Sequence, residues 1–326
     1  MIVDSFNRVH DYLRISVTDN CNLRCFYCMP EEDYHFTPTS RLMQADEIKS
    51  IAGIFVSQGI RKIRITGGEP LVRKDAGRIF ELLSELNVNL TLTTNGTRLH
   101  DFADMLSGAG VRSLNISLDT LLPEKFQLLT KRDQFHQILA NIRLMITKGF
   151  HVKVNVVVMK GINENELLDF VAWTKDEPVH VRFIEFMPFS GNHWNSDRVF
   201  TLHDMIEKIS SKYEIERLDG KAEDTAKAFR IAGHQGSIAV ISTMSAPFCN
   251  GCNRIRLTAD GKIKNCLFSK DETDLLNPFR NGEDILPLIR QNIWSKKKEL
   301  GGQFTTDFSH IHPEEIDNRS MITIGG

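Results

Sequence analysis

The chain has 326 residues and a formal net charge of −2, with 41% hydrophobic and 25% charged residues. This composition is ordinary for a soluble globular protein, and the near-neutral balance speaks against a general nucleic-acid or membrane-surface binder while leaving room for a local basic pocket. No apolar run approaches membrane-spanning length, and the start MIVDSFNRVHDYLR carries charges where a signal peptide needs an apolar stretch, so the expected compartment is the cytoplasm.

In chain order, β-branched runs predict strands over residues 12–17, 61–66, 89–94, 113–118, 152–158 and 179–184. Amphipathic stretches between them predict helices over 45–57, 76–86, 99–107, 134–147 and 164–175. Strand then helix, repeated about six times, implies an α/β fold of parallel strands with helical crossovers. Residues 203–326 are less regular. They offer a helix over 202–210, strands over 238–243 and 254–258, a turn at Asp260-Gly261 and a helical run over 284–299. The Lys296-Lys297-Lys298 run is expected on a solvated helix face. The expected division is a barrel-like region over 1–200 and a smaller α+β domain over 201–326.

Each predicted strand carries a polar stripe. Arg14 and Ser16 alternate with Leu13, Ile15 and Val17, and Lys62, Arg64 and Thr66 alternate with Ile63 and Ile65. Thr91 and Thr93, Asn115 and Ser117, Lys153 and Asn155, then His180 and Arg182 continue the pattern on the next four. Period-two alternation sends each set to one side of a sheet. The apolar side would carry the helices, and the polar side would line a lumen too cationic to be a dry core.

All six cysteines fall into two triplets: Cys21, Cys25 and Cys28 in Cys-x3-Cys-x2-Cys spacing, and Cys249, Cys252 and Cys266 in Cys-x2-Cys-x13-Cys spacing. In the cytoplasm clustered cysteines read as metal ligands rather than disulfides. Three ligands leave one metal position open, where chemistry can happen. The alternative is a Cys3His zinc site, with His10 or His35 beside the first triplet and His234 beside the second. The motifs follow the strands: the first triplet after strand one, Gly67-Gly68-Glu69-Pro70 after strand two, Thr93-Thr94-Asn95-Gly96 at strand three, Ser117-Leu118-Asp119 at strand four and Phe186-Met187-Pro188 after strand six. Parallel α/β folds gather their sites at the carboxyl ends of strands. Gly67 and Gly68 would expose backbone to a ligand, with Glu69 placed to meet an amine.

The Cys-x3-Cys-x2-Cys loop with Tyr27 before Cys28, followed by Gly67-Gly68-Glu69-Pro70, resembles the radical S-adenosylmethionine (SAM) enzymes. Within them the segments LRISVTDNCNLRCFYCMP, IRITGGEPLVR, VRFIEFMP and FCNGCNRIRLTADGKIKNC, with the final Ile324-Gly325-Gly326, are similar to the GTP 3′,8-cyclase family of molybdenum cofactor biosynthesis. Asn7 departs from the family pattern, which has Gly there, and residues 270–319 match weakly. The resemblance implies an incomplete (β/α)6-type parallel barrel whose lumen is closed by the C-terminal domain.

It further implies two [4Fe–4S] clusters, one on Cys21, Cys25 and Cys28 that binds SAM, and one on Cys249, Cys252 and Cys266 that faces the guanine. SAM contacts would fall at Tyr27, Gly68, Ser117 and Met187. GTP contacts would fall at Arg14, Arg64, Thr93, Lys153, Arg254 and Arg256, with Ile255 contributing backbone. Lys62 and Arg182 share the stripe and look like extra phosphate contacts; the alternative is a lumenal salt bridge to Glu69 or Glu185. Gly325-Gly326 would thread into the pocket near the arginines. An external electron donor would reduce the protein, as monomer or homodimer, and the product would pass to molybdenum cofactor biosynthesis protein C. A peptide-modifying radical SAM enzyme would usually carry more C-terminal cysteines, and a structural metal module would not need the cationic stripe.

Overall fold

The structure is a computed structural model describing residues 1–29, 34–221, 223–305, 307–312 and 316–326. Pro30, which closes the first cysteine motif, lies outside the described residues. A short antiparallel hairpin, β1 (Ile2–Val3) with β2 (Val9–His10), leads into β3 (Tyr12–Ser16). Asn7 in its turn sits at φ 61°, in the left-handed region. Glycine enters that region freely and asparagine tolerates it, which accounts for the departure from Gly.

From β3 the chain alternates: α1 (Ala45–Ser57), β4 (Lys62–Thr66), α2 (Ala76–Ser84), β5 (Asn89–Thr94), α3 (Leu99–Gly108) and β6 (Ser113–Ser117). It continues through α4 (Pro123–Thr130), α5 (Phe135–Thr147), β7 (His151–Val158), α6 (Leu167–Asp176) and β8 (His180–Glu185). All pairings from β3 to β8 are parallel. The apolar stripe does what its period demands. Leu13, Ile15, Ile63, Ile65 and Leu92 are fully buried, against Ile48, Ile51 and Phe55 of α1 among others. Each such side chain contributes about 1.5–3 kcal/mol by leaving water. α1 begins at a capping box, in which the Glu47 carboxylate accepts from the Gln44 backbone N–H at 2.7 Å.

The C-terminal region does not stand apart as a separate sheet. It contributes α7 (Leu202–Ser210), β9 (Ile215–Arg217), β10 (Lys227–Ile231), β11 (Ser237–Ile241), β12 (Arg254–Leu257), β13 (Lys262–Lys264), β14 (Thr273–Asp274), α8 (Leu276–Arg280), α9 (Leu286–Trp294) and α10 (Met321–Ile324). The sheet order is β14-β13-β12-β3-β4-β5-β6-β7-β8-β11-β10-β9. β12 adds in parallel to β3 and β11 in parallel to β8, so the later strands extend the barrel sheet from both edges. α4 has no counterpart in the sequence expectation; Pro123 at its first turn supplies the fixed φ that starts it.

One expectation is corrected here. α9 ends at Trp294, short of the predicted 299, and only Lys297 and Lys298 of the lysine run are exposed. Lys296 is 3% exposed and points inward. Among the described residues no helix is long and apolar enough to cross a membrane.

Candidate active site

The carboxyl ends of the parallel strands open into a cavity of about 670 Å³, well within the range of small-molecule sites. All six cysteines line it. The first triplet rides on the loop after β3, and the Gly67-Gly68 pair runs directly beneath that loop. The Gly68 N–H donates to the Thr18 carbonyl at 2.7 Å and the Glu69 N–H to the Asn20 carbonyl at 2.8 Å. A Cβ at Gly67 would lie 2.6 Å from the Thr18 oxygen, and one at Gly68 2.5 Å from the Asp19 oxygen. The glycines are therefore required for backbone to approach backbone, and Gly68 also lines the cavity.

Glu69 does not reach the cavity. It is wholly buried, with one carboxylate oxygen accepting from Thr94 Oγ1 at 2.8 Å and from the Leu71 N–H at 3.0 Å, and the other accepting from the Asn95 N–H at 2.6 Å. It braces three loops, and its carboxyl is pushed up to about 7 by burial. The expected meeting with an amine is thus replaced by a structural role. Glu185 is likewise fully engaged by the Leu202, Met244 and Ser245 N–H groups. Neither carboxylate forms the lumenal salt bridge that Lys62 and Arg182 were weighed against.

Tyr27 donates its hydroxyl to Asp119 Oδ2, while Asp119 Oδ1 accepts the Val157 N–H at 2.8 Å. Burial pushes the Cys21 thiol up to about 11 and Cys28 up to about 12, and raises Cys25 well above its ordinary value. Three thiolates here need a strongly cationic centre to offset that cost. Across the cavity Cys252 behaves differently. Burial raises it, but Arg254 and Lys296 outweigh burial and hold its thiol at about 6.

Donors already point at the sulfurs: Asn95 Nδ2 lies 3.7 Å from Cys21 Sγ, Lys296 Nζ 3.3 Å from Cys252 Sγ, and the Leu300 N–H 3.5 Å from Cys249 Sγ. Thiolates bound to an iron–sulfur cluster accept such bonds, so the donor sets fit two cysteine-ligated clusters. Two of the histidines weighed for zinc have other partners. His234 Nδ1 meets Thr174 Oγ1 at 2.8 Å against α6, and His10, far in sequence from the second triplet, meets Lys296 at 2.9 Å.

Five cations of the stripe, Arg14, Lys62, Arg64, Lys153 and Arg182, line the same cavity, joined by Arg254 and Arg256 of β12. Among the described residues none of them forms an ion pair with a carboxylate. The hydrogen bonds they make go to neutral acceptors: Ser113 Oγ accepts from Lys153 at 2.8 Å, Thr91 Oγ1 from Arg64 at 3.3 Å, and the Gly325 carbonyl from Arg256 at 2.6 Å, while Asp224, which also lines the cavity, attracts Arg182 without pairing with it. Burial and mutual repulsion hold Arg64 at about 10 and Lys153 at about 7. Arg14 Nε, Arg254 Nη2, Asn115 Oδ1 and Asn155 Oδ1 are buried without a protein partner. Such a cage suits a polyanion with many acceptor oxygens.

Of the residues expected at the site, Tyr27, Gly68, Ser117, Met187, Thr93 and every named Arg and Lys line the cavity. Ile255 does not; its side chain turns into the core and its backbone pairs with Leu13. Gly326 does reach the cavity, and Gly325 lies where a Cβ would be 2.7 Å from Thr66 Oγ1. Sequence reasoning missed two residues. Tyr12 holds Lys62, Arg14 and Arg64 over its ring at 4.7, 5.6 and 5.6 Å; it falls on the same alternation as Arg14, which could have revealed it. Lys296 had no such signal.

A parallel sheet with a three-cysteine loop at the end of its first barrel strand and a glycine pair beneath that loop is the radical SAM arrangement. A sequence model described as the Radical SAM superfamily matches residues 15–174, and one described as Molybdenum Cofactor Synthesis C matches residues 179–301. The chain belongs to the GTP 3′,8-cyclase family. It is 45% identical over 333 residues to the mitochondrial GTP 3′,8-cyclase of Arabidopsis thaliana, covering all of this chain and 84% of that one. It is 40% identical over 331 residues to the GTP 3′,8-cyclase of Peptoclostridium acidaminophilum, covering 98% of that protein. It is also 45% identical to the molybdenum cofactor biosynthesis protein 1 of Mus musculus, of which it spans about half, 51%. Among solved structures, Streptococcus suis SuiB bound to S-adenosylmethionine aligns with TM-score 0.63 at 15% identity, over 97% of this chain and 77% of that one. At that identity the likeness speaks for the fold alone.

Proposed function

We propose that this chain is a GTP 3′,8-cyclase of molybdenum cofactor biosynthesis that uses two [4Fe–4S] clusters, one on Cys21, Cys25 and Cys28 and one on Cys249, Cys252 and Cys266. The observation that carries this reading is that both cysteine triplets and seven unpaired cations line one cavity. Held on Cys21, Cys25 and Cys28, the first cluster would supply the electron that cleaves SAM to methionine and a 5′-deoxyadenosyl radical; loss of the C3′ hydrogen of GTP to that radical and closure of the carbon onto guanine C8 would leave a nucleobase radical, which takes a second electron from the external reductant and a proton to give (8S)-3′,8-cyclo-7,8-dihydroguanosine 5′-triphosphate.

The protein's own part is binding and orientation. Gly68 offers backbone to SAM, with Ser117 and Met187 on the strand ends around it and Tyr27 fixed by Asp119. Arg14, Arg64, Lys153, Arg254 and Arg256 take the triphosphate, with Lys62 and Arg182 adding charge and Thr93 a hydroxyl; Ile255, turned into the core, is left out of this reading. The test is anaerobic incubation of the reconstituted protein with SAM, reductant and GTP, followed by product identification and iron and sulfide analysis. About eight irons per chain fit two cubanes; stoichiometric zinc without sulfide sinks the reading.

Lys153 gives a pH signature. Burial first, then Arg182, Arg64 and Lys62, hold it at about 7. A triphosphate supplies the opposite charge and raises that value, so GTP binding takes up a proton above about pH 7 and affinity falls as pH rises further. Calorimetry at pH 8 in buffers of different ionisation heat is expected to show this uptake, largely lost in Lys153→Met. Identical binding heats in every buffer would contradict it.

A further inference from the structure

Lys296 is buried, yet among the described residues it has no carboxylate partner. Its ammonium has three donors, and three acceptors meet them: His10 Nε2 at 2.9 Å, the Arg254 carbonyl at 3.2 Å and Cys252 Sγ at 3.3 Å. A buried ammonium with no counter-charge is costly, and the sulfur is the one acceptor of the three that becomes anionic on binding iron. Asp4, 3.8 Å from His10 Nε2, is taken by Arg8, whose Nε lies 2.6 Å from it. The same guanidinium donates to the carbonyls of Cys249, Lys298 and Lys297 at 2.9, 2.7 and 2.9 Å. Arg8 thereby ties the backbone just after Lys296 to the backbone of the cysteine loop, fixing where the lysine emerges.

The two triplets sit in opposite fields. The sulfur donors at the first are neutral, Asn95, the Leu23 N–H and Tyr27, and buried carboxyls at Asp119 and Glu69 stand close to its thiols, with Arg24 a lesser opposing charge at Cys21. The second has Lys296 in contact, with Arg254, Arg256 and Arg8 nearby. Hydrogen bonds to cluster sulfurs and added positive charge raise a cluster's reduction potential.

We propose that Lys296 is a positioning residue for the C-terminal cluster: its ammonium, held by His10 and the Arg8-tied loop, donates to Cys252 Sγ and makes that cluster easier to reduce than the one on the first triplet. This rests on the two-cluster reading above. The test is an EPR-monitored redox titration of the reconstituted holoprotein, with the two signals assigned through Cys25→Ala and Cys266→Ala. In Lys296→Met the ratio of reduced to oxidised C-terminal cluster at a fixed potential is expected to fall at least tenfold, which is 59 mV for one electron. The first cluster should not move, and Lys296→Arg should restore most of the ratio.

An unchanged ratio in a fully iron-loaded Lys296→Met overturns the proposal. If that variant assembles no C-terminal cluster, Lys296→Gln carries the test, since it keeps a donor and loses the charge; an unchanged ratio there overturns the proposal equally. Four irons per chain in the unaltered protein, with no signal that Cys266→Ala removes, overturns the two-cluster reading and the proposal with it.

Discussion

Cys266→Ala is expected to uncouple the reaction. SAM cleavage should persist, while formation of the cyclised nucleotide falls by at least about a thousandfold, or about 4 kcal/mol of transition-state free energy. Among the described residues, the first triplet and the groups around it, Gly68, Asn95, Tyr27 and Asp119, make no hydrogen bond to the loop that carries Cys266. Generation of the radical can therefore survive while the surface that orients guanine is lost. Cys21→Ala should do the reverse and abolish SAM cleavage altogether. Quantifying 5′-deoxyadenosine and cyclised product in parallel checks both. Normal cyclisation in Cys266→Ala would remove the second triplet from the mechanism.

Arg14→Ala is expected to weaken GTP by about 10- to 100-fold, the worth of one charge-assisted hydrogen bond at about 1.5–3 kcal/mol. Guanosine binding should change far less. Arg14 pairs in register with Arg64 on one side and Arg256 on the other, and its Nε is buried without a partner. Removing it takes a donor from the middle of the cationic row and, within the protein, gives up its contact with Tyr12. Equilibrium binding of both ligands decides the matter, because equal losses would mean that Arg14 supports the pocket wall rather than the phosphates.

The stripe was legible because alternation is a local property. Reading Arg14, Arg64, Lys153 and Arg182 on one side of successive strands needs only the two-residue period of each strand, and the cavity gathers all four. Partnerships formed across the whole chain were not legible. Nothing near residues 254–257 says that they pair with 12–15, so the chain gives no local hint that strands of the expected C-terminal domain continue the barrel sheet. Glu69 was misread for a related reason. A carboxylate in a glycine loop suggests a ligand contact, and only the fold shows three donors converging on it. Lys296 is the sharpest case, since a lysine triplet reads as solvated until the break after Trp294 turns its first member inward.

The continuity of the sheet has a consequence for how the chain is made. β3 takes β12 as its outer neighbour, and Asn253 reaches Asp11 at 2.7 Å across 242 residues. At about 5–20 residues per second, a nascent β3 waits on the order of tens of seconds for that neighbour. A bare strand edge is a template for wrong pairing. A pause in translation before residues 254–257 have left the ribosome therefore lengthens the interval in which the chain is most prone to aggregate, and a later pause does not.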